Sequence, residues 1–387
     1  SEMCIRDSPL FFHSLIAACA WLFSLSVSAS LPIPAAPAIN AKGYILIEHS
    51  TGQVLAQKNP DERLEPASLT KIMTAFVVFG ELRAGRLSLD DEVTVSEKAW
   101  RTEGSRMFIE VNTRVRVEDL MQGMIVQSGN DASVALAEQV AGTEETFAVM
   151  MNQAALGIGM TSSNFRNATG LPASDHYSTA RDMALLARAL IAQFPDYYGR
   201  WYSQREFTYN DITQRNRNAL LWRDSTVDGV KTGMTKAAGY CLVASANRDN
   251  MRLISVVMGT PNANARASAS QSLLGYGFQF YETHKLFAAG EPLTSVRVWK
   301  GARERVDLGL DEDVFVIIPR GQRDSLNAEM DLNAQVIAPV TSDDELGTVR
   351  VSLNDEIVLE KPLHPLQAVA SGDFFDRIMD EILLWFE

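Results

Sequence analysis

The feature that most restricts the fold is a set of strand-like segments split by a long helical interval. Val227 to Thr232, Tyr240 to Ala246 and Arg252 to Met258 are apolar runs joined by short connections, the last two through Asn247-Arg248-Asp249-Asn250-Met251. Short connections allow only antiparallel pairing. Far upstream, Gly43 to Glu48 and Gln53 to Ala56-Gln57 flank Ser50-Thr51-Gly52 and predict a hairpin. Between them the apolar period is helical. The spacing predicts a helix opening near Ser68 behind Pro66, a second over Val117 to Gln127, and a third just after Ser128-Gly129-Asn130 with Asp131 near its start. Two more follow, one through Phe147, Met150, Met151 and Ala154, and one capped by Thr179 with Asp182 three residues on. Ala267 to Phe280 is helical again and packs near the first hairpin. The expected fold class is therefore α+β, an antiparallel sheet with a helical block inserted between its N-terminal and C-terminal strands.

Composition shifts near Gly290-Glu291-Pro292. Alternating runs such as Val296-Arg297-Val298-Trp299 and Val314 to Ile318 then recur at about ten-residue spacing to Pro365, which predicts a small all-β domain. Phe375, Ile378, Met379, Ile382, Trp385 and Phe386 share one stripe of a C-terminal amphipathic helix, opposite an acidic face of Asp373, Asp376, Asp380, Glu381 and Glu387 with only Arg377. Such a helix lies in a membrane interface or docks on its own β-domain; adsorption would rest on apolar burial and be modest. At the other end, Leu10 to Leu25 is apolar and Val27-Ser28-Ala29 are small, the pattern of a secretory signal cut after Ala29. Glu2 and Asp7 against Arg6 leave it without a positive flank, so the expectation is that Ser1 is not the natural start. The expected layout is a signal over 1–29, a first domain over 30–285, a β-domain over 286–368 and an amphipathic helix over 369–387.

Net charge is −13 with no basic cluster, so nucleic acid is not an expected partner. Cys4 and Cys19 leave with the signal, and Cys241, in a strand-like run, is expected to be a packing residue. His13 is in the signal, and the other four histidines have no ligand spacing, so neither metal nor cofactor is expected.

The chemistry lies in three short motifs. Ser68-Leu69-Thr70-Lys71 puts a hydroxyl and an amine on one helix face, which suits a serine nucleophile and a lysine base if the amine is neutral. Ser128-Gly129-Asn130 falls between two helices and Lys231-Thr232-Gly233 in a strand. Each alone also reads as an ordinary turn or strand end. The ordered set is that of penicillin-binding proteins and class A β-lactamases. With Ile125 to Asp131, Tyr177 to Met183 and Val227 to Gly233, the mature chain resembles the D-alanyl-D-alanine carboxypeptidases among low-molecular-mass penicillin-binding proteins. The resemblance implies a penicillin-binding-protein/β-lactamase-like domain, cleavage of peptidoglycan pentapeptides ending in D-Ala-D-Ala, covalent inhibition by β-lactams, and a periplasmic enzyme held to the inner membrane by residues 372–387.

Beside that resemblance, Ser68 Oγ attacks the scissile carbonyl and unprotonated Lys71 takes its proton, with Lys231 the expected cation that lowers the Lys71 pKa. Ser128 relays a proton to the leaving amine and Asn130 orients lysine and substrate. The N–H groups of Ser68 and Met234 form the oxyanion hole, and Thr232 and Lys231, at the Gly233 end of the strand, bind the terminal carboxylate. The resemblance adds Arg266 to the carboxylate site. Met234 stands where many relatives carry histidine, and Thr169 is given no role. A β-lactamase would need a glutamate between Asn164 and Ser178, and none is present. Cleavage of cross-linked peptides (a DD-endopeptidase) and a penicillin-binding cell-wall scaffold with little turnover are the other readings.

Overall fold

The structure, a computed structural model, describes residues 33–384. The expected signal with Cys4, His13 and Cys19, together with Trp385, Phe386 and Glu387, lies outside the described residues. The strands form one five-stranded antiparallel sheet in the order Val54–Lys58, Gly43–Glu48, Met251–Thr260, Gly239–Arg248, Val227–Thr235. The N-terminal hairpin thus joins the later strands through Gly43–Glu48, with Ile45 opposite Val256. Asp249 and Asn250 both take positive φ, 49° and 65°, the geometry that lets a two-residue turn follow strand twist.

Alternation along the strands divides the side chains between two cores. Ile45, Ile47, Val243, Ile254 and Val256 face the helical block and pack with Met73, Phe79, Leu190 and Trp201. Leu46, Leu242, Ala244, Leu253 and Val257 face the helix Ala263–Phe280 and meet Leu273 and Leu274. Because both faces are covered, these strands read as continuous apolar runs.

The helical block starts with a 3-10 turn, Ala67–Leu69, that leads into the helix Thr70–Arg83. Thr179 caps the helix Ala180–Gln193 by accepting the Asp182 N–H at 3.0 Å, as the capping pattern predicts. The helix expected over Val117 to Gln127 is corrected: only Val117–Gln122 is α-helical, and Gly123–Gln127 widens into a π-turn. Gly123 lies against Met107, where a Cβ would fall 2.3 Å from the Met107 sulfur, and the wide turn ends with Ser128 at φ 71°. Such bulges commonly mark functional positions.

Beyond the first domain, Tyr281–Phe287 runs across the 285/286 boundary and pairs with Val314–Pro319. A six-stranded sheet follows, in the order Leu326–Leu332, Gly347–Leu353, Glu356–Pro365, Arg305–Gly309, Thr294–Trp299, Val336–Ile337. Val296, Val298, Leu308, Val349 and Leu363 fill its core. The helix Phe374–Leu384 rests on this domain by its acidic side: Asp380 accepts the Lys300 N–H and pairs with Arg297 at 3.5 Å, and Glu381 pairs with Lys300. Its apolar side, including Phe374, Phe375 and Met379, is exposed. No described helix is long and apolar enough to cross a membrane.

Candidate active site

Ala67 holds a left-handed φ of 47°, a strained conformation for a residue with a Cβ, directly before Ser68. One turn later Lys71 is 1% exposed. Its Nζ lies 3.1 Å from Ser68 Oγ, 2.7 Å from Asn130 Oδ1 and 2.6 Å from the Thr169 carbonyl. The two carbonyl-type oxygens can only accept. A neutral amine therefore spends its two N–H groups on Asn130 and Thr169, and its lone pair is left facing the Ser68 hydroxyl. Burial brings the Lys71 pKa from 10.5 down to about 7; Asp131 and Glu144 oppose this and Arg217 adds to it. Burial, expected to act together with a neighbouring cation, comes first; Arg217 adds to it, and Lys71 and Lys231 disfavour each other's charge. Lys231 is itself pushed well down, by burial and then by the charge of Lys71.

Ser128 is buried, and its Oγ has no hydrogen-bond partner among the described residues. An orphaned hydroxyl is costly, and such groups are kept where a ligand or a proton path uses them. Asn130 cannot rotate, because its Nδ2 donates to the Glu103 carbonyl at 2.6 Å while Oδ1 accepts from Lys71. Asp131 ties this turn to the neighbouring loop by accepting the N–H groups of Met107, Phe108 and Ile109.

Lys231, Thr232, Gly233 and Met234 lie on Val227–Thr235, the edge of the sheet. Gly233 presses on the serine turn, since a Cβ there would sit 3.0 Å from the Pro66 carbonyl and 3.2 Å from Ala67 Cβ. Arg266, buried on the helix Ala263–Phe280, donates to the Gly233 carbonyl at 3.0 Å. Met234 is 53% exposed. Cys241, opposite Gly233, is buried and its thiol pKa is raised to about 11 by burial, which suits a packing residue.

The structure thus gathers Ser68, Lys71, Ser128 and Asn130 at one end of the helical block, against the Lys231 to Gly233 strand. It also brings in groups that residue types did not announce. Thr169, given no role from the sequence, supplies a backbone carbonyl to Lys71. Its loop is held by Asn167 Oδ1, which accepts from the N–H groups of Thr169 and Gly170. Gly170, at φ 80°, lies so near the serine turn that a Cβ would fall 1.8 Å from the Ala67 carbonyl. Arg217 follows the hairpin Glu206–Tyr209/Ile212–Arg215 and acts on Lys71, Lys231 and Arg266. Glu144 reaches the 164–178 loop from the helix Glu144–Gly157. Its oxygens are already engaged by the Ala168 N–H and by Lys98, so it is no counterpart of a water-activating loop glutamate.

Comparison with known proteins agrees with this geometry. A family profile described as D-alanyl-D-alanine carboxypeptidase, peptidase S11, matches residues 31–262, and one described as penicillin-binding protein 5, C-terminal domain, matches 281–371. The chain is 43% identical to D-alanyl-D-alanine carboxypeptidase DacC of Escherichia coli (strain K12), over 95% of this chain and 93% of that protein. It is 36% identical to DacF of Bacillus subtilis (strain 168), covering 86% and 87%. Among solved structures, penicillin-binding protein 5 of Haemophilus influenzae superposes with a TM-score of 0.84 at 41% identity, over 87% of this chain and 100% of that one. Penicillin-binding protein D2 of Listeria monocytogenes, in its ampicillin-bound form, gives 0.57 at 30% identity over 62% and 98%. With a serine, a buried lysine and the two further motifs in one site, and a matching profile across more than half its length, this chain belongs to the peptidase S11 family of D-alanyl-D-alanine carboxypeptidases.

Proposed function

We propose that the chain is a serine D-Ala-D-Ala carboxypeptidase that removes the terminal D-alanine from peptidoglycan pentapeptides through an acyl-enzyme on Ser68. The observation that carries this is the position of Lys71, buried and bonded at once to Ser68, Asn130 and the Thr169 carbonyl, with a pKa of about 7. The substrate runs along the open edge of Val227–Thr235, where an extended peptide finds unpaired backbone groups. Its terminal carboxylate meets Thr232, Lys231 and, behind Gly233, Arg266, with the exposed Arg217 adding to the positive field. Lys71 takes the Ser68 proton as Oγ bonds to the carbonyl carbon, and the N–H groups of Ser68 and Met234 stabilise the oxyanion. The tetrahedral intermediate collapses with cleavage of the C–N bond, and the proton passes from Lys71 through Ser128 to the departing amine. Water then adds to the ester and Ser68 regains its proton. With a β-lactam the departing amine stays tethered to the acyl group, and without a water-activating glutamate in the 164–178 loop the adduct persists.

The same reading takes 30–285 as the peptidase domain, 286–368 as a β-domain and 369–387 as a membrane-interface helix. It puts the enzyme in the periplasm, on the face of the inner membrane. The test is incubation with a pentapeptide ending in D-Ala-D-Ala. Wild type should release D-alanine and take up one penicillin on Ser68 by mass spectrometry, and Ser68→Ala should do neither. Penicillin uptake without D-alanine release would overturn the substrate assignment.

A further inference from the structure

We infer that Glu144 is a positioning residue for acylation, which fixes through the backbone of Ala168 the carbonyl that holds Lys71. This rests on the proposed reading of Lys71 as the base.

Glu144 opens the helix Glu144–Gly157, just after the capping residue Thr143. Its Oε1 accepts the Ala168 N–H at 3.0 Å, and its Oε2 lies 3.1 Å from Lys98 Nζ. On the other side of the same residue, Thr74 Oγ1 donates to the Ala168 carbonyl at 2.7 Å. Thr74 sits three residues after Lys71, on the same helix and so on the same face. Ala168 is therefore gripped twice: at its carbonyl by the helix that carries Lys71, and at its N–H by a separate helix. The next carbonyl along, that of Thr169, is the one that accepts from Lys71 at 2.6 Å. With both peptide groups of Ala168 held, and the next peptide held at its Gly170 N–H by Asn167 Oδ1 at 2.7 Å, the Thr169 carbonyl has little freedom to turn away.

Glu144 also carries charge to this place. It favours the protonated form of Lys71, as does Asp131 from the helix Asn130–Ala141, while Arg217 opposes it; Lys231 from the edge strand completes the charged surroundings. Glu144 itself is faced by Lys98 from the helix Glu97–Arg101, which also pairs with Glu145. Geometry and charge can be separated by substitution. Glu144→Gln keeps an acceptor for the Ala168 N–H and removes the charge. Glu144→Ala removes both, and Lys98→Met leaves the carboxylate without its counter-charge.

The experiment measures the second-order rate of Ser68 acylation by a fluorescent penicillin from pH 5 to 10, with thermal melts of each variant and KM for pentapeptide hydrolysis. Glu144→Gln should keep the plateau rate within about two-fold and move the acid limb to lower pH. Lys98→Met should move that limb to higher pH. Glu144→Ala should lower the plateau on the order of ten-fold with KM unchanged, because the lysine loses a fixed partner and no substrate contact. A purely structural role would not shift the limb in opposite directions in Glu144→Gln and Lys98→Met. Glu144→Asp, whose shorter side chain draws the carboxylate back from the Ala168 N–H, should lower the plateau where Glu144→Gln does not, which tests the positioning even if Glu144→Ala does not fold. A limb that neither Glu144→Gln nor Lys98→Met moves, or a plateau that Glu144→Ala and Glu144→Asp leave unchanged, overturns the role of Glu144 alone. A wild type with no acid limb overturns Lys71 as base, and this inference with it.

Discussion

On the proposed reading, Lys71 acts as a base in a site that also collects Lys231, Arg217 and Arg266. Lowering an amine from 10.5 to about 7 corresponds to a differential of on the order of 5 kcal/mol between its two forms. Between those two pH values the unfolded chain binds the proton that the folded one refuses, so this cost to stability shrinks as pH rises. Burial supplies most of the shift, and the site thereby keeps its base neutral without depending on any one cation. Arg217 is the exception that can be tuned from outside. It is exposed, and its charge disfavours the protonated lysine. Arg217→Gln should therefore move the acid limb of Ser68 acylation to higher pH. High salt should move the wild-type limb the same way, because an exposed charge is screened at distances beyond roughly 3 Å at 1 M. Stopped-flow acylation from pH 5 to 9 reads both, and an unmoved limb in Arg217→Gln would remove Arg217 from the account.

At the scale of elements, the 164–178 loop is locked onto the serine turn by His176 as well as by Gly170. The ring Nδ1 accepts the Arg166 N–H at 3.3 Å, which leaves Nε2 protonated and donating to Thr70 Oγ1 at 2.9 Å. Burial first, and then Arg166, hold its pKa down at about 4. As pH falls below 6.5 the unfolded chain takes up the proton before the folded one. The stability tied to neutral His176 is therefore complete above pH 6.5 and lost toward pH 4, on the order of 3 kcal/mol. His176→Gln should flatten the fall of Tm over that interval, although His49, also held near 4, keeps part of it. Equal slopes for variant and wild type would rule this lock out. The strands around Lys231 and Cys241 were readable because a sheet covered on both faces needs unbroken apolar runs, and the three motifs because their chemistry needs particular side chains. Thr169 was not readable, since its contribution is a carbonyl that every residue carries. Arg217 and Glu144 arrive through a hairpin and a helix end outside the three motifs, and no local spacing encodes that. The π-turn at Gly123–Gln127 depends on the packing of Met107, and the pairing of Tyr281–Phe287 on strands some thirty residues later.

For the whole molecule, the question is how a chain whose described helices do not cross a membrane would stay at its surface. Phe374, Phe375, Ile378, Met379, Ile382 and Leu383 are all exposed on one short helix. If each contributes about 1 kcal/mol on entering the interface, the total is about 6 kcal/mol, close to a single myristoyl chain and therefore reversible. The acidic face would oppose binding to anionic lipid, but Asp380 and Glu381 are engaged by Arg297 and Lys300, which offset two of its charges and turn that face toward the β-domain. The apolar side is thus presented outward from a seated helix, and on the proposed reading attachment would rest on burial rather than on charge. Three outcomes follow for sedimentation with lipid vesicles. Deleting 372–387 should leave the protein in the supernatant. Phe374→Glu with Phe375→Glu should weaken partitioning on the order of a hundred-fold, since two of the most exposed anchors are lost and two charges must be desolvated. Raising the salt to 1 M should not release the wild type, because apolar burial is not screened. Release by salt, with the double variant still bound, would mean that charge and not this stripe holds the enzyme to lipid.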